Sequence, residues 1–491
     1  MNVSLIWWGL GIYFVISLFI AFLSRTGKQT NMGAYFLGDR KLGGFVSALS
    51  YSATTYSAFM LVGLAGLTYS GGVGALGFEL IYLMGVSLIA FFGPRFWIVG
   101  KKYGYITPSQ MIGNRYQSKA VAITIAISNC LFLIPYSAVQ LAGVGYLLQG
   151  ISNQQISFHT GVIIATVLAI IFAYIAGIRS VAWTDSLQSL FMIIGSTFVV
   201  LFLIHELGGF TVFVQKLETN HPELLTVPGN GFFSFLTFIG LTIPWFFFSI
   251  SNPQVSQRLF MPASLKSMRH MLLGFMIFGF IYTFVSIFWG YSAFLLEPGL
   301  GNPDLATSVV LTSSAIPPVL GVIVMVGIIA AAVSTIDSIL LTLSSMFAKD
   351  VYGNIKKESA DRAQLKLGKI VIPIIAIMAY FFANLQLNLI AVLSVASSAG
   401  LIVVVPAIIG AFFWKKGTAI AVLASVIIPG IAVLIIELFQ IKPFGLASGL
   451  WGLILSSLLF ISVSLFTKAP KQKADEFIDY IQDNVYKKNL S

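Results

Sequence analysis

Thirteen apolar stretches, each long enough to cross a bilayer, leave this chain little choice of architecture. They run approximately over residues 4–24, 43–70, 74–99, 119–149, 158–177, 180–205, 232–255, 270–297, 317–347, 365–384, 388–414, 417–440 and 445–467, here numbered spans 1 to 13. About twenty helical residues cover the ~30 Å of hydrocarbon in a bilayer. With 57% hydrophobic and 9% charged residues among 491, and a mean hydropathy of +0.93, no soluble domain of core-forming size is left over. The expected fold class is all-α, a polytopic membrane protein with thirteen transmembrane helices. Span 1 lacks a basic leader and a small-residue cleavage site, so it is expected to stay as a span.

A net charge of +11 suggests nucleic acid until the charges are placed. With the N-terminus outside, the inside loops and tail hold 26 of the 28 lysines and arginines, and only Lys216 and Lys442 fall outside. Arg25, Lys28, Arg115, Arg258 and Lys357 are among the 26. Such an asymmetry orients a membrane protein and needs no nucleic acid partner. The expectation is a multi-pass protein of the cell (plasma) membrane, with the lipid bilayer as partner, the N-terminus outside and the C-terminus cytoplasmic. The outer loop 206–231 and the tail 468–491 carry amphipathic runs, Phe210 to Leu217 and Phe477, Ile478, Ile481, Val485, which read as interfacial helices. The single cysteine, Cys130, lies within span 4 and permits neither a disulfide framework nor a thiolate metal site.

Span 9 contains the run Ala331-Ala332-Val333-Ser334-Thr335-Ile336-Asp337-Ser338. At ~100° per residue Ala331, Ser334, Thr335 and Ser338 share a stripe, with Asp337 beside Ser334. The stripe offers only oxygens, the ligands of hard cations, to which a loosened helix can add a carbonyl, most readily at Ala331. The competing reading is that the hydroxyls bond back to carbonyls one turn earlier or bridge helices. Asp337 weighs against it, as does the cost of a charge in mid-membrane; Glu79 and Asp185 are also set within spans.

Two other spans look broken. Span 2 crowds Ser47, Ser50, Ser52, Thr54, Thr55 and Ser57 around Ala53 and Tyr56, and span 7 carries Pro244 and then Ser249-Ile250-Ser251-Asn252-Pro253. They are five spans apart and therefore oppositely oriented. Interrupted helices at matching positions of two inverted halves point to a transporter with its site at mid-depth. The expected organisation is a first span and inner loop (1–42), a first inverted repeat of spans 2–6 (43–205), an outer loop (206–231), a second repeat of spans 7–11 (232–414), spans 12–13 (415–467) and a cytoplasmic tail (468–491). Span 9 would lie against span 2.

Further runs accompany this topology: Tyr35-Phe36-Leu37-Gly38-Asp39-Arg40, Ser47-Ala48-Leu49-Ser50, Ala53-Thr54-Thr55, Thr107-Pro108, Asn114-Arg115-Tyr116, Trp183-Thr184-Asp185, Gln257-Arg258 and Ser334-Thr335. In this order the chain resembles the sodium:solute symporter family, and within it the sodium/proline and sodium/pantothenate symporters. The resemblance implies a LeuT-like core of five plus five inverted-repeat helices, sodium as the coupling ion, and a small organic solute such as an amino acid, pantothenate or a related metabolite, carried inward by alternating access. It further implies a sodium site made by the carbonyls of Ala53, Tyr56 and Ala331 with the hydroxyls of Ser334 and Thr335. A second cation or proton site would use Asp185, Asp337 and Ser338 together with Ser334. The implied solute contacts are Ser57, Glu79, Tyr136, Gln140, Trp245, Asn252, Pro253 and Gln254. Two departures stand out: Thr55 replaces an aspartate of the proline carriers, and Ala176-Gly177 replaces a Gly-Gly pair before span 6. Gln140 stands where carboxylate carriers have arginine, and with Glu79 this shifts the expected solute towards hydroxyl, amine or zwitterionic compounds.

Other classes are disfavoured. His159, His205, His221 and His270 sit at span ends or in loops without metal-ligand spacing, which argues against a membrane enzyme. A transporter-like sensor or receptor would normally carry an output domain, and a facilitator on the same scaffold would ignore sodium.

Overall fold

The computed structural model describes residues 2–23, 31–356, 360–387 and 389–488; Ser24, Arg25, Lys28 and Lys357 of the expectations above lie outside them. The described residues are helical and hold no strand. Twelve candidate spans run over Val3–Ile20, Gly74–Tyr103, Lys119–Ile151, Phe158–Ile175, Gly177–Glu206, Phe235–Phe260, Leu265–Leu296, Pro318–Ile355, Asp361–Ala383, Ile390–Phe413, Ala419–Leu438 and Ser448–Phe466. The thirteenth is the broken pair Gly44–Thr55 and Phe59–Gly71, bent by 48°. The fold is a LeuT-like helical core. Spans 9 and 11 are the most deeply packed, with 78% of the apolar stretch buried in each, against 22% in span 1 at the periphery. Outward-facing Phe91, Ile277, Phe381 and Phe466 give the apolar belt that lipid requires.

Spans 5 and 6 are two helices, Phe158–Ile175 and Gly177–Glu206, joined at a kink where Gly177 has φ 60°, a positive φ that glycine adopts without strain. Of the altered Ala176-Gly177 pair, the residue that the turn requires is therefore kept.

Several basic loops meet on one face. Arg115, buried, donates to the carbonyls of Ala411 (3.1 Å) and Trp414 (3.2 Å), closing the end of span 11 where a cation is favoured. Thr107 and Ser109 each donate to Asp350 at 2.6 Å. The tail is helical over Lys471–Lys488, but it does not float as an interfacial helix. Phe477 and Ile481 are buried, Phe477 stacks 6.1 Å from Tyr103, and Lys415 pairs with Asp475 (2.9 Å) and Asp479 (2.8 Å). Its apolar stripe found protein rather than lipid because spans 3 and 11 leave Tyr103 and Phe412 uncovered beneath it.

The opposite face is capped by loops. Helix Gly209–Asn220 buries Phe213 and Leu217, again against protein, and Leu224 accepts from the Val73 amide (2.8 Å) and the Tyr291 hydroxyl (3.0 Å). The short segment Pro303–Thr312 plugs between spans. Asp304 accepts from the Ile390 amide at the start of span 11 (3.0 Å), and Thr307 donates to the Leu61 carbonyl of span 2.

Candidate functional site

The first half of span 2 ends because its own side chains compete for its backbone. Ser52 bonds back to the Ala48 carbonyl (2.8 Å), Tyr56 leaves helical geometry at φ −95°, ψ 73°, and Ser57 caps the next half by accepting from the Phe59 amide (3.2 Å). The break frees carbonyls in the middle of the protein. Across it stands Thr335 of span 9, whose hydroxyl lies 3.1 Å from the Ala53 carbonyl, 3.3 Å from that of Thr54 and 3.0 Å from that of Ala331. Ala53, Ala331 and Thr335 thus converge. The Tyr56 carbonyl belongs to the same break, while the Ser334 hydroxyl is turned to Asp185. Oxygen is the only donor type in this cluster, as a hard monovalent cation requires.

One turn towards the basic face the cluster carries charge. Asp185 of span 6 is fully buried and accepts from Ser50 (2.7 Å), Ser334 and Arg258 (3.4 Å). Arg258 also donates to Ser50 (2.6 Å) and Ser338 (2.5 Å), and Ser338 shares a hydrogen bond with Thr54 (3.2 Å). Counted above with the loop charges, Arg258 is only 4% exposed and stands inside the protein. Span 7 restarts at Pro253 after its break, and this second half carries the guanidinium back between spans 2, 6 and 9.

Asp337 stays apart from that network. Its Oδ1 has no hydrogen-bond partner among the described residues, and it lines a cavity of about 10 Å³, room for roughly one water-sized guest. The same cavity is lined by Tyr13 and Ser17 of span 1, Thr184 and Gln188 of span 6, and Ser334. The Gln188 carbonyl oxygen is likewise unpartnered.

On the other side of the break Glu79 meets one of the expected solute residues directly. Trp245 of span 7 donates to Glu79 at 3.4 Å, and its indole meets Phe248 (4.7 Å between ring centroids), Phe59 (4.9 Å), Tyr82 (5.5 Å) and Phe78 (5.6 Å). Tyr136 of span 4 joins through Phe248 at 5.7 Å, with Gln140 one turn further along the same helix face. Asn252 caps the restarted helix by accepting from the Gln254 amide (3.1 Å), Pro253 takes the first helical position where its missing N–H costs nothing, and Gln254 is buried. Ser57 serves the span 2 break itself.

A model of the sodium:solute symporter family matches residues 35–429. The chain belongs to that family. Among this symporter's relatives, the sodium/pantothenate symporter of Escherichia coli strain K12 is 27% identical over 94% of this chain and 95% of its own. Sodium/proline symporter 2 of Staphylococcus saprophyticus is 26% identical over 96% and 95%. In fold the symporter is similar to a sodium-coupled sialic acid symporter solved substrate-bound and outward-open, with a TM-score of 0.76 at 19% identity over 96% of this chain and 98% of that one.

Sequence reasoning missed three participants in the symporter's polar core. Arg258 counts there as a loop charge and Ser50 and Thr54 as helix-breaking polarity, and although all three stand in the runs that carry the family resemblance, none is given a role in the core. The signal available was the adjacency of Arg258 to the Asn252-Pro253 break, since a helix restarted at a new angle can carry a near-loop residue inward.

Proposed function

We propose that this symporter brings a small organic solute into the cell together with sodium, by alternating access around a mid-membrane site. The observation that carries the reading is Thr335. Its hydroxyl lies 3.1 Å from the Ala53 carbonyl and so gathers oxygens from the broken helix of one repeat and the central helix of the other. Sodium, as cargo, takes the carbonyls of Ala53, Tyr56 and Ala331 and the hydroxyls of Ser334 and Thr335, with Ser334 released from Asp185 to join them. An ion in that place ties span 2 to span 9 and stabilises the arrangement that receives solute. Asp337, with Ser334 and the polar groups of its small cavity, takes a second cation or a proton, while Asp185 and Ser338 serve that step through Arg258. The solute lies among Ser57, Glu79, Tyr136, Gln140, Trp245, Asn252, Pro253 and Gln254. The repeats are residues 43–205 and 232–414, the basic face is cytoplasmic, and the N-terminus is outside.

Linkage requires sodium and solute to tighten each other's binding by the same factor, on the scale of ~1–3 kcal/mol. The test is equilibrium titration in nanodiscs in sodium and in potassium, paired with uptake into liposomes under an imposed sodium gradient. Sodium is expected to strengthen solute binding and to drive uphill uptake. Equal affinity in the two salts would make the protein a facilitator or receptor on a symporter scaffold.

A further inference from the structure

The surroundings of Glu79 define what can bind there. The carboxylate is fully buried, one oxygen receives only the Trp245 indole N–H at 3.4 Å, and the other, Oε1, has no partner. Among the described residues no lysine, arginine or histidine pairs with it; the nearest buried arginine on the same span as Trp245, Arg258, is committed to Ser50, Ser338 and Asp185. A carboxylate deep in a membrane protein without a counter-charge is expensive, and such residues are kept for what they bind.

The aromatic cluster beside Glu79 suits the same guest. Phe59, Phe78, Tyr82 and Phe248 bring four rings together around the Trp245 indole, with centroid separations of 4.7 to 5.6 Å from it. Aromatic faces carry negative partial charge, so they attract a cation and do little for an anion. The remaining polar equipment is neutral: both amide atoms of Gln140 and Gln254, the Asn252 Nδ2 and the Tyr136 hydroxyl are buried without partners. An anionic solute would meet Glu79 with no guanidinium or ammonium to hold it.

We infer that the solute presents a cationic nitrogen, a protonated amine or a quaternary ammonium, to Glu79 within this aromatic chamber, with its uncharged polar end on the amides of Gln140, Asn252 and Gln254. The inference rests on the proposed solute site and narrows its substrate class to amines, cationic or zwitterionic.

The experiment is thermal stabilisation of the purified full-length protein, in sodium and in potassium, by tetramethylammonium, ethanolamine, putrescine and proline against lactate, glucose and pantothenate. At least one nitrogen cation is expected to stabilise, and Glu79→Gln, which keeps size and polarity, should weaken its binding by about tenfold or more. Trp245→Phe, which keeps an aromatic face but loses the indole N–H, should weaken it less, and the melting temperature of each variant in sodium without solute checks that it is folded. Stabilisation by lactate, glucose or pantothenate alone, no stabilisation by any of the four nitrogen compounds, or amine binding unchanged in Glu79→Gln would each overturn the inference. The two readings fail separately. An amine bound equally in potassium and sodium removes the coupling and leaves the charge selectivity, whereas sodium-enhanced binding of glucose or lactate does the reverse.

Discussion

The guanidinium of Arg258 stands 3.4 Å from the carboxylate of Asp185, with both side chains buried and Ser50 hydrogen-bonded to each of them. Two charges taken out of water stabilise a fold only while each keeps the other, and removing one typically costs ~3–5 kcal/mol. Arg258→Gln and Asp185→Asn are each expected to destabilise the protein on that scale. The double variant should lose clearly less than the sum of the two. Unfolding titrations in denaturing detergent measure the cycle, and additivity within about 0.5 kcal/mol would mean that the pair contributes nothing jointly.

Removal of two ligand oxygens should be felt by the ion first. Replacing both Ser334 and Thr335 with Ala is expected to raise the sodium concentration for half-maximal uptake about tenfold or more, corresponding to at least ~1.4 kcal/mol. An unchanged sodium dependence in a folded double variant would take sodium away from the Ala53–Thr335 junction.

For Asp337 the expected signature is in protons and charge. Asp337→Asn should alter the pH profile of uptake or the charge moved per solute, and Ser17→Ala, which trims the same small cavity, should move it in the same direction. Wild-type pH profile and stoichiometry in both variants would return Asp337 to a structural role.

The plug formed by Pro303–Thr312 should loosen as pH rises. Burial pushes the Asp304 carboxyl up to about 7, against the opposing pull of the Ile390 amide. A carboxyl whose docked value lies above its free value of 3.8 favours docking when protonated. Docking is therefore strongest below about pH 4, weakens by up to ~1.4 kcal/mol per pH unit as pH climbs towards 7, and is level above that. Hydrogen exchange of the 306–312 amides, corrected for intrinsic rates, should show protection falling between about pH 4 and pH 7 and levelling off above, and Asp304→Asn should flatten it. Protection that rises with pH would reverse the assignment.

Apolar length and polar interruption made most of the fold legible. The thirteen spans appear within a few residues of their expected bounds, apart from extensions such as Pro318–Ile355, where the buried Asp350 is held at one carboxylate oxygen by Thr107 and Ser109. The break of span 2 was readable from crowded hydroxyls, and that of span 7 from Pro253. What could not be read was reach. Arg258 lies only a few residues from a span end, and hydropathy alone cannot say that it folds back into the core. The loop and tail helices posed a similar ambiguity, since an amphipathic stripe is the same pattern whether it meets lipid or protein. Only the presence of uncovered Tyr103 and Phe412 decides for the tail.

Tyr56 ends the first half of span 2 and, from the same residue, sends a ring against Phe275 at 5.0 Å and towards Tyr82 of the aromatic chamber at 6.1 Å. In the proposed assignment its carbonyl is an ion ligand and its side chain borders the solute. No relay across the protein is then needed for one cargo to sense the other. A lineage that altered its diet by reshaping the walls beside Tyr56 would retune its appetite for salt in the same step, so the two specificities are expected to evolve as a single trait.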